Sequence, residues 1–260
     1  MHMDLQISNQ LLLVGGASSG LGKAVATQLL SEGAHVIAVA RSSDALQELR
    51  QTHPYKVEIV VGDLTLDATL GELAQLIGNR SLSGALINAG GPPAMTALET
   101  TLSDWDAAYA TVLRWKVALT QLLVPGMMSR GYGRLVFIES ASVKQPIENL
   151  VLSNAFRLAV VGFVKTLSQE VAHSGVTLNI LAPGYHATPA MERLYKKKSE
   201  QTGMSMEEAM LQYISQTKVG FLGAAADFAS LAVWLLSPHS RYLTGQTISV
   251  DGGIIKGTMG

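Results

Sequence analysis

The chain has 260 residues, 48% hydrophobic and 15% charged, with 19 basic residues against 20 acidic for a net charge of −1. The scattered basic residues leave no electrostatic footprint for nucleic acid, and the lack of cysteine removes disulfides, thiolate nucleophiles and cysteine-ligated metals together. The six histidines show no metal-binding spacing, no apolar run approaches the roughly 18 residues that span a bilayer, and Met1–Gln10 lacks a signal-peptide pattern, so the expectation is a cytoplasmic protein with no metal and no membrane segment.

Short apolar runs alternate with longer amphipathic stretches from end to end. Gln10–Val14 reads as the first strand and leads through Gly15-Gly16-Ala17-Ser18-Ser19-Gly20-Leu21-Gly22 into a helical pattern over Leu21–Glu32, stopped by Gly33. His35–Ala40 and Lys56–Gly62 are the next strands, and Leu66–Ile77 the next helix. Ala85–Ala89 follows, then a long helical stretch over Ser103–Met128, opened by Ser103 and Asp106 as an acidic variant of a capping box. Arg134–Ile138 is the fifth strand, Leu152–His173 a helix ended by Gly175, and Thr177–Ala182 the sixth strand. Ala224–Leu236 and Gln246–Val250 complete the series as helix and strand. Several runs are nearly continuous in Val, Ile, Leu and Ala, as strands covered on both faces are. The alternation predicts a single Rossmann-type domain over residues 1–260: a doubly wound, mostly parallel seven-stranded sheet with helices on both faces. The irregular segment 188–220 holds Lys196-Lys197-Lys198 and Met191, Met204, Met206 and Met210. Its place between the last two strands predicts a lid over a substrate cleft, against the alternative of an ordinary surface helix pair.

The glycine-rich turn after the first strand is the strongest chemical signal. Gly16, Gly20 and Gly22 let the backbone turn tightly and let a pyrophosphate approach its amides, and the helix beginning at Leu21 adds oriented N–H groups. Ser18 and Ser19 add hydroxyl donors. At the end of the second strand Ala40 removes the carboxylate that would select an unphosphorylated ribose. Arg41, with Ser42 beside it, offers charge-assisted bonds to a 2′-phosphate, so NADP(H) is expected over NAD(H). Asp63 and Leu64, ending the third strand, face the adenine position. Asn88, Ala89 and Gly90, ending the fourth, leave room for the adenosine ribose, and Pro92-Pro93 stiffens the loop beside them. In an open α/β sheet ligands sit outside these carboxyl ends.

With Pro183-Gly184 after the sixth strand and Thr244-Gly245-Gln246 through Val250-Asp251-Gly252-Gly253 at the end, these residues resemble the short-chain dehydrogenase/reductase family over nearly the whole chain. The nearest flavour is that of 3-oxoacyl-carrier-protein reductases. The resemblance implies that Thr188 holds the nicotinamide carboxamide and that Ser140 hydrogen-bonds the substrate carbonyl. It also implies a tyrosine about 13 residues after the serine and a lysine four later; those positions are Ser153 and Arg157, and no Tyr-xxx-Lys occurs in the sequence. The family's helix asparagine corresponds to Val112. A serine hydroxyl is shorter and far less acidic than a tyrosine lowered from about 10. Arg157 can still donate to the nicotinamide ribose.

Lys144, Tyr185 and His186 are candidate substrate contacts or replacement acids, His186 because it titrates near neutrality. Arg114 and Lys116 read as surface or interface charges, although Lys116 lies one turn from Val112. Three functions follow. The first is an NADP(H)-dependent oxidoreductase acting on a carbonyl or hydroxyl of a small or acyl-type, largely apolar substrate. The second is a silent NADP(H)-binding sensor or hetero-oligomer subunit; the third is a non-redox lyase or decarboxylase using Ser140, Lys144 or His186. The resemblance also implies a homotetramer or dimer built on the helices Ser103–Met128 and Leu152–His173, with the Gly252–Gly260 tail reaching a further subunit.

Overall fold

The computed structural model of the protein describes residues 4–258. Seven strands, β1 (Leu11–Gly15), β2 (His35–Ala40), β3 (Val57–Val61), β4 (Leu82–Ile87), β5 (Gly133–Ile138), β6 (Val176–Pro183) and β7 (Thr247–Val250), form one sheet in the order β3-β2-β1-β4-β5-β6-β7. Every pairing is parallel. The continuous apolar runs are explained by burial on two sides. Leu12 and Val14 join a core with Val25 and Leu29 of α1 (Gly20–Ser31) and with Phe228 and Val233 of α9 (Ala225–Leu236). Leu13, between them, faces the opposite core, with Leu73 of α3 (Asp67–Ile77), Leu119 of α5 (Trp115–Ser129) and Val160 of α6 (Val151–Val171). Period-two alternation thus sends successive side chains into two different cores, so neither set can be polar.

Three local findings differ from the sequence reading. A helix α2 (Ser43–Thr52), which the apolar pattern did not mark, buries only Leu46 and Leu49, three residues apart. The capping box lies two residues earlier than expected, because Ser103 is already inside α4 (Leu102–Ala108). Thr101 accepts from the Asp104 amide, and the Asp104 carboxylate accepts from the Thr101 amide at 2.8 Å. The long helix is also not continuous: a π-helical turn over Tyr109–Arg114 separates α4 from α5.

The expectation that no segment reaches bilayer length is corrected at α6, since Val151–Ser174 is long and apolar enough by length and composition. It packs on the sheet through Val160, Val164 and Val171 and carries Arg157 in a buried ion pair. Only 28% of its most apolar window is buried, so much of this helix's apolar surface is left uncovered within the chain.

Between β6 and α9 stand α7 (Pro189–Thr202) and α8 (Met206–Ile214). They pack through their own small cluster of Met191, Tyr195 and Ala209, with Tyr185, Met204 and Tyr213 against it. Three of the segment's four methionines, Met191, Met204 and Met210, therefore pack in or against this cluster, whereas Met206 is exposed.

Candidate active site

The strand order reverses between β1 and β4, so their carboxyl ends part helices to opposite faces and leave a crevice. The turn after β1 borders it. Gly16 has φ +65°, and a Cβ there would stand 2.6 Å from Asn88 Nδ2. That amide donates to the Gly15 carbonyl at 3.3 Å, tying β1 to β4. A Cβ at Gly22 would stand 2.2 Å from the Gly16 carbonyl oxygen, so the first turn of α1 lies directly on the loop. The Ala17 amide donates to the Val39 carbonyl at 3.2 Å, holding the loop to the end of β2. Ser18 is half-buried, and Ser19, the N-cap of α1, is exposed and spends no side-chain bond on the helix amides. Leu21 packs against the α1–α9 core while its amide belongs to the first turn. The result is a concavity lined by backbone amides at a helix start, which suits a pyrophosphate.

The neighbouring strand ends fall around this loop. Arg41 and Ser42 are exposed just beyond β2. Asp63 uses Oδ1 to accept from the Thr65 amide (2.9 Å) and hydroxyl (2.8 Å). Leu64 is buried, its Cδ1 2.9 Å from where a Gly15 Cβ would sit, so it serves as floor. Ala89 is half-buried, and around Gly90 there is open space. At the end of β6 the Gly184 amide donates to the Val250 carbonyl at 3.0 Å, bringing Pro183-Gly184 against β7. Thr188, the N-cap of α7, comes within 3.6 Å of a Cβ placed on Gly20, and its hydroxyl makes no cap bond. The α7–α8 segment thus starts at the dinucleotide loop.

A cluster of buried charge occupies the other end of the crevice. Ser140, two residues past β5, opens a 3₁₀ turn over Ala141–Val143; its hydroxyl oxygen accepts from the Ser142 amide at 3.1 Å. On α6, Ser153 is 7% exposed, and its Oγ accepts from Arg157 Nε at 3.0 Å. Arg157 Nη1 donates to Glu139 Oε2 at 3.0 Å, and Nη2 lies against Gly91, where a Cβ would stand 2.9 Å away. The other oxygen of Glu139 takes Lys116 Nζ in a short hydrogen bond. Lys116 therefore points inward rather than to the surface or an interface; four residues beyond buried Val112, it sits on the same inner helix face. Burial pulls its ammonium below the usual lysine range, with the Arg157 charge acting in the same direction and Glu139 opposing. Arg114 does lie on the surface, paired with Asp67 at 2.8 Å.

Glu139 is the site residue that sequence reading missed. The available signal was a carboxylate immediately after the fully apolar, fully buried end of β5. Among the other candidates, Lys144 follows the 3₁₀ turn and is half-buried. Tyr185 Oη donates to Gln216 Oε1 at 3.0 Å and meets the Tyr213 ring edge-on at 4.9 Å, which ties the end of β6 to α8. His186 is buried, its ring edge-on to Phe228 and within 3.0 Å of a Cβ placed on Gly223. Desolvation lowers its pKa, with the Gly184 carbonyl and Asp227 opposing.

The family profile described as Enoyl-(Acyl carrier protein) reductase matches residues 16–255. The chain is 30% identical to a 3-oxoacyl-[acyl-carrier-protein] reductase of Rickettsia bellii, over 96% of this chain and 99% of that protein. Among solved structures it resembles L-sorbose reductase from Gluconobacter frateurii complexed with NADPH and L-sorbose, with TM-score 0.92, 27% identity, and coverage of 98% and 100%. It also resembles an NADPH-dependent reductase involved in bacilysin biosynthesis, with TM-score 0.90, 25% identity, and coverage of 96% and 100%.

Proposed function

Because this chain belongs to the short-chain dehydrogenase/reductase family and is an oxidoreductase of that type, we propose that it uses NADP(H) to interconvert a carbonyl and a hydroxyl through Ser140, Ser153 and Arg157. The reading rests chiefly on one observation: the Oγ of Ser153 already accepts a bond from Arg157, which leaves its own proton for a substrate oxygen. Ser140 is in the same condition, since its oxygen accepts the Ser142 amide.

The residues present suit the dinucleotide. A side chain at Gly16 would collide with Asn88 and one at Gly22 with the carbonyls of Gly15 and Gly16, so only glycine permits the tight turn that a pyrophosphate would approach. Thr188 has a hydroxyl unused by its own helix for the carboxamide. Arg41, exposed where a carboxylate would favour NAD(H), supports a 2′-phosphate, in keeping with the NADPH named for both structural neighbours. When bound, the nicotinamide supplies or takes the hydride. The protein holds the reacting oxygen. In the reducing direction Ser140 and Ser153 donate hydrogen bonds to the oxygen as negative charge grows on it, and the fixed Arg157 cation strengthens the Ser153 donor. Neither hydroxyl is acidic enough to surrender its proton outright at neutral pH, so the alkoxide oxygen takes its proton from solvent water. Arg157 Nη2, beside Gly91, would be the donor left for the nicotinamide ribose.

The substrate is small or acyl-type and largely apolar, a reading supported by the 3-oxoacyl reductase relatives. The helix pair α7–α8 covers it as a lid, the uncovered apolar surface of α6 supports a homotetramer or dimer, and the enzyme works in the cytoplasm. The C-terminal contact expected with a further subunit runs to Gly260, of which residues 259–260 lie outside the described residues.

The test is to titrate NADPH and NADH against wild type and Arg41→Ala by nicotinamide fluorescence, then add ketones, 3-oxoacyl thioesters and enoyl thioesters. The expected result is a preference for NADPH that falls about tenfold in Arg41→Ala, the size of one charge-assisted contact, with oxidation of NADPH by a carbonyl compound. Binding without turnover of any compound in either direction would instead establish the silent, cofactor-binding role.

A further inference from the structure

We propose that Glu139 is a positioning residue of this active site: held from behind by Lys116, it fixes the Arg157 guanidinium in the one orientation that serves Ser153 and the cofactor. The proposal rests on the cofactor reading above and adds to it the residues on which Arg157 depends.

The guanidinium is a planar fork, so bonds on two edges settle its direction. Here three of its nitrogens are located by three parts of the fold. Nε donates to Ser153 one turn earlier on α6. Nη1 donates to Glu139 at the end of β5. Nη2 lies against Gly91 in the loop after β4, where any side chain would collide with it. Only Glu139 among these restrains the arginine by charge. The Glu139 side chain has no exposed surface, and each of its oxygens carries one cation.

Stability alone does not account for such a cluster. Burying ions is costly before they are paired, and well-packed apolar residues of similar volume often serve as well or better. Two cations on one carboxylate moreover leave a net positive charge beside the reacting groups. That charge is useful where a substrate oxygen becomes negative and where ribose hydroxyls must be bound. If the carboxylate were removed, Lys116 and Arg157 would face each other unscreened, and the arginine would swing away from Ser153. Lys116 acts one step further back: without it, Glu139 would be free to turn toward Arg157 with both oxygens. A lysine at position 157 would be a point donor unable to bond Ser153 and Glu139 as a fork.

The experiment is a double-mutant cycle read by NADPH fluorescence titration on the full chain: wild type, Glu139→Gln, Arg157→Met and the pair. If Glu139 acts through Arg157, Glu139→Gln weakens NADPH about tenfold in the wild-type background and less than about twofold in the Arg157→Met background. Lys116→Arg, which keeps the charge, is expected to stay within about threefold of wild type. Equal weakening in both backgrounds, or no weakening in either, would overturn the proposal, because a merely structural carboxylate does not care which residue stands at 157. Should Glu139→Gln fail to fold, the same cycle run with Lys116→Met/Glu139→Gln leaves no unpaired ammonium behind and reads the same coupling. Wild type that binds NADPH without the coupling sinks this inference alone; wild type that binds no NADPH sinks the cofactor reading with it.

Discussion

The two ends of the crevice are built from different materials. The glycine-rich loop at Gly15–Gly22 is made of backbone: a positive φ at Gly16, amides at the start of α1, and close approaches that a single Cβ would block. The other end is made of side chains from separate elements, with Lys116 on α5, Glu139 after β5 and Arg157 and Ser153 on α6, all largely withdrawn from water. A backbone cradle tolerates few residue types and leaves a recognisable local pattern. A side-chain cluster tolerates many types provided their charges balance, so one family can retain the first while the second is rebuilt.

That contrast predicts that the cradle fails abruptly and the charge cluster by degrees. The largest effect is expected from Gly22→Ala, whose added carbon would lie 2.2 Å from the Gly16 oxygen. Displacing the loop is expected to weaken NADPH by more than about 100-fold while costing about 1–3 kcal/mol of stability, measurable by fluorescence titration and urea unfolding. Binding within a few-fold of wild type would show that the cradle is not the phosphate site. Ser140→Ala comes next. Losing one donor to the reacting oxygen is expected to lower kcat by about 10² with the NADPH dissociation constant nearly unchanged, and an equal loss in both would place Ser140 in cofactor binding instead.

The smallest effect lies outside both ends, at His186. Its folded pKa is lowered by burial, so below the unfolded value of about 6.5 the unfolded chain binds a proton that the folded one resists. Stability is therefore present above that pH and lost as pH falls from about 6.5 toward the folded value. Thermal melts between pH 7.5 and about 5 are expected to show wild type losing about 2 °C more than His186→Phe. Parallel curves would mean that the ring is already solvated.

The legible and illegible parts of the site divide along the same line. Gly16, Gly20 and Gly22 announce the loop because the strand–turn–helix geometry excludes other side chains there. Ser140, Ser153 and Arg157 are singled out by the family resemblance, which fixes their positions along one stretch of chain, and the structure joins Ser153 to Arg157 directly. Glu139 was overlooked and Lys116 misplaced outward, because a charged residue in an amphipathic helix ordinarily faces water. What reverses that expectation is a carboxylate 23 residues away in sequence. His186 read as a reactive loop histidine because nothing near it in sequence foretells Phe228 against its ring. The capping box was displaced by two residues because Thr101–Asp104 and Ser103–Asp106 satisfy the same spacing, and only one matches where the backbone turns helical.

By itself the sequence determined the doubly wound sheet, through apolar runs that must face two cores, and the tight turn after β1, through glycines that such a backbone demands. Both are constraints between near neighbours and are written in residue type. The tertiary structure alone decided which charges are buried together, that Thr188 returns to Gly20, and that Met191 of α7 and Met210 of α8 pack inward. Those outcomes depend on how strands and helices far apart in the chain are stacked, and in a low-dielectric interior a few ångströms of that stacking determine whether a charge is paired and kept or excluded.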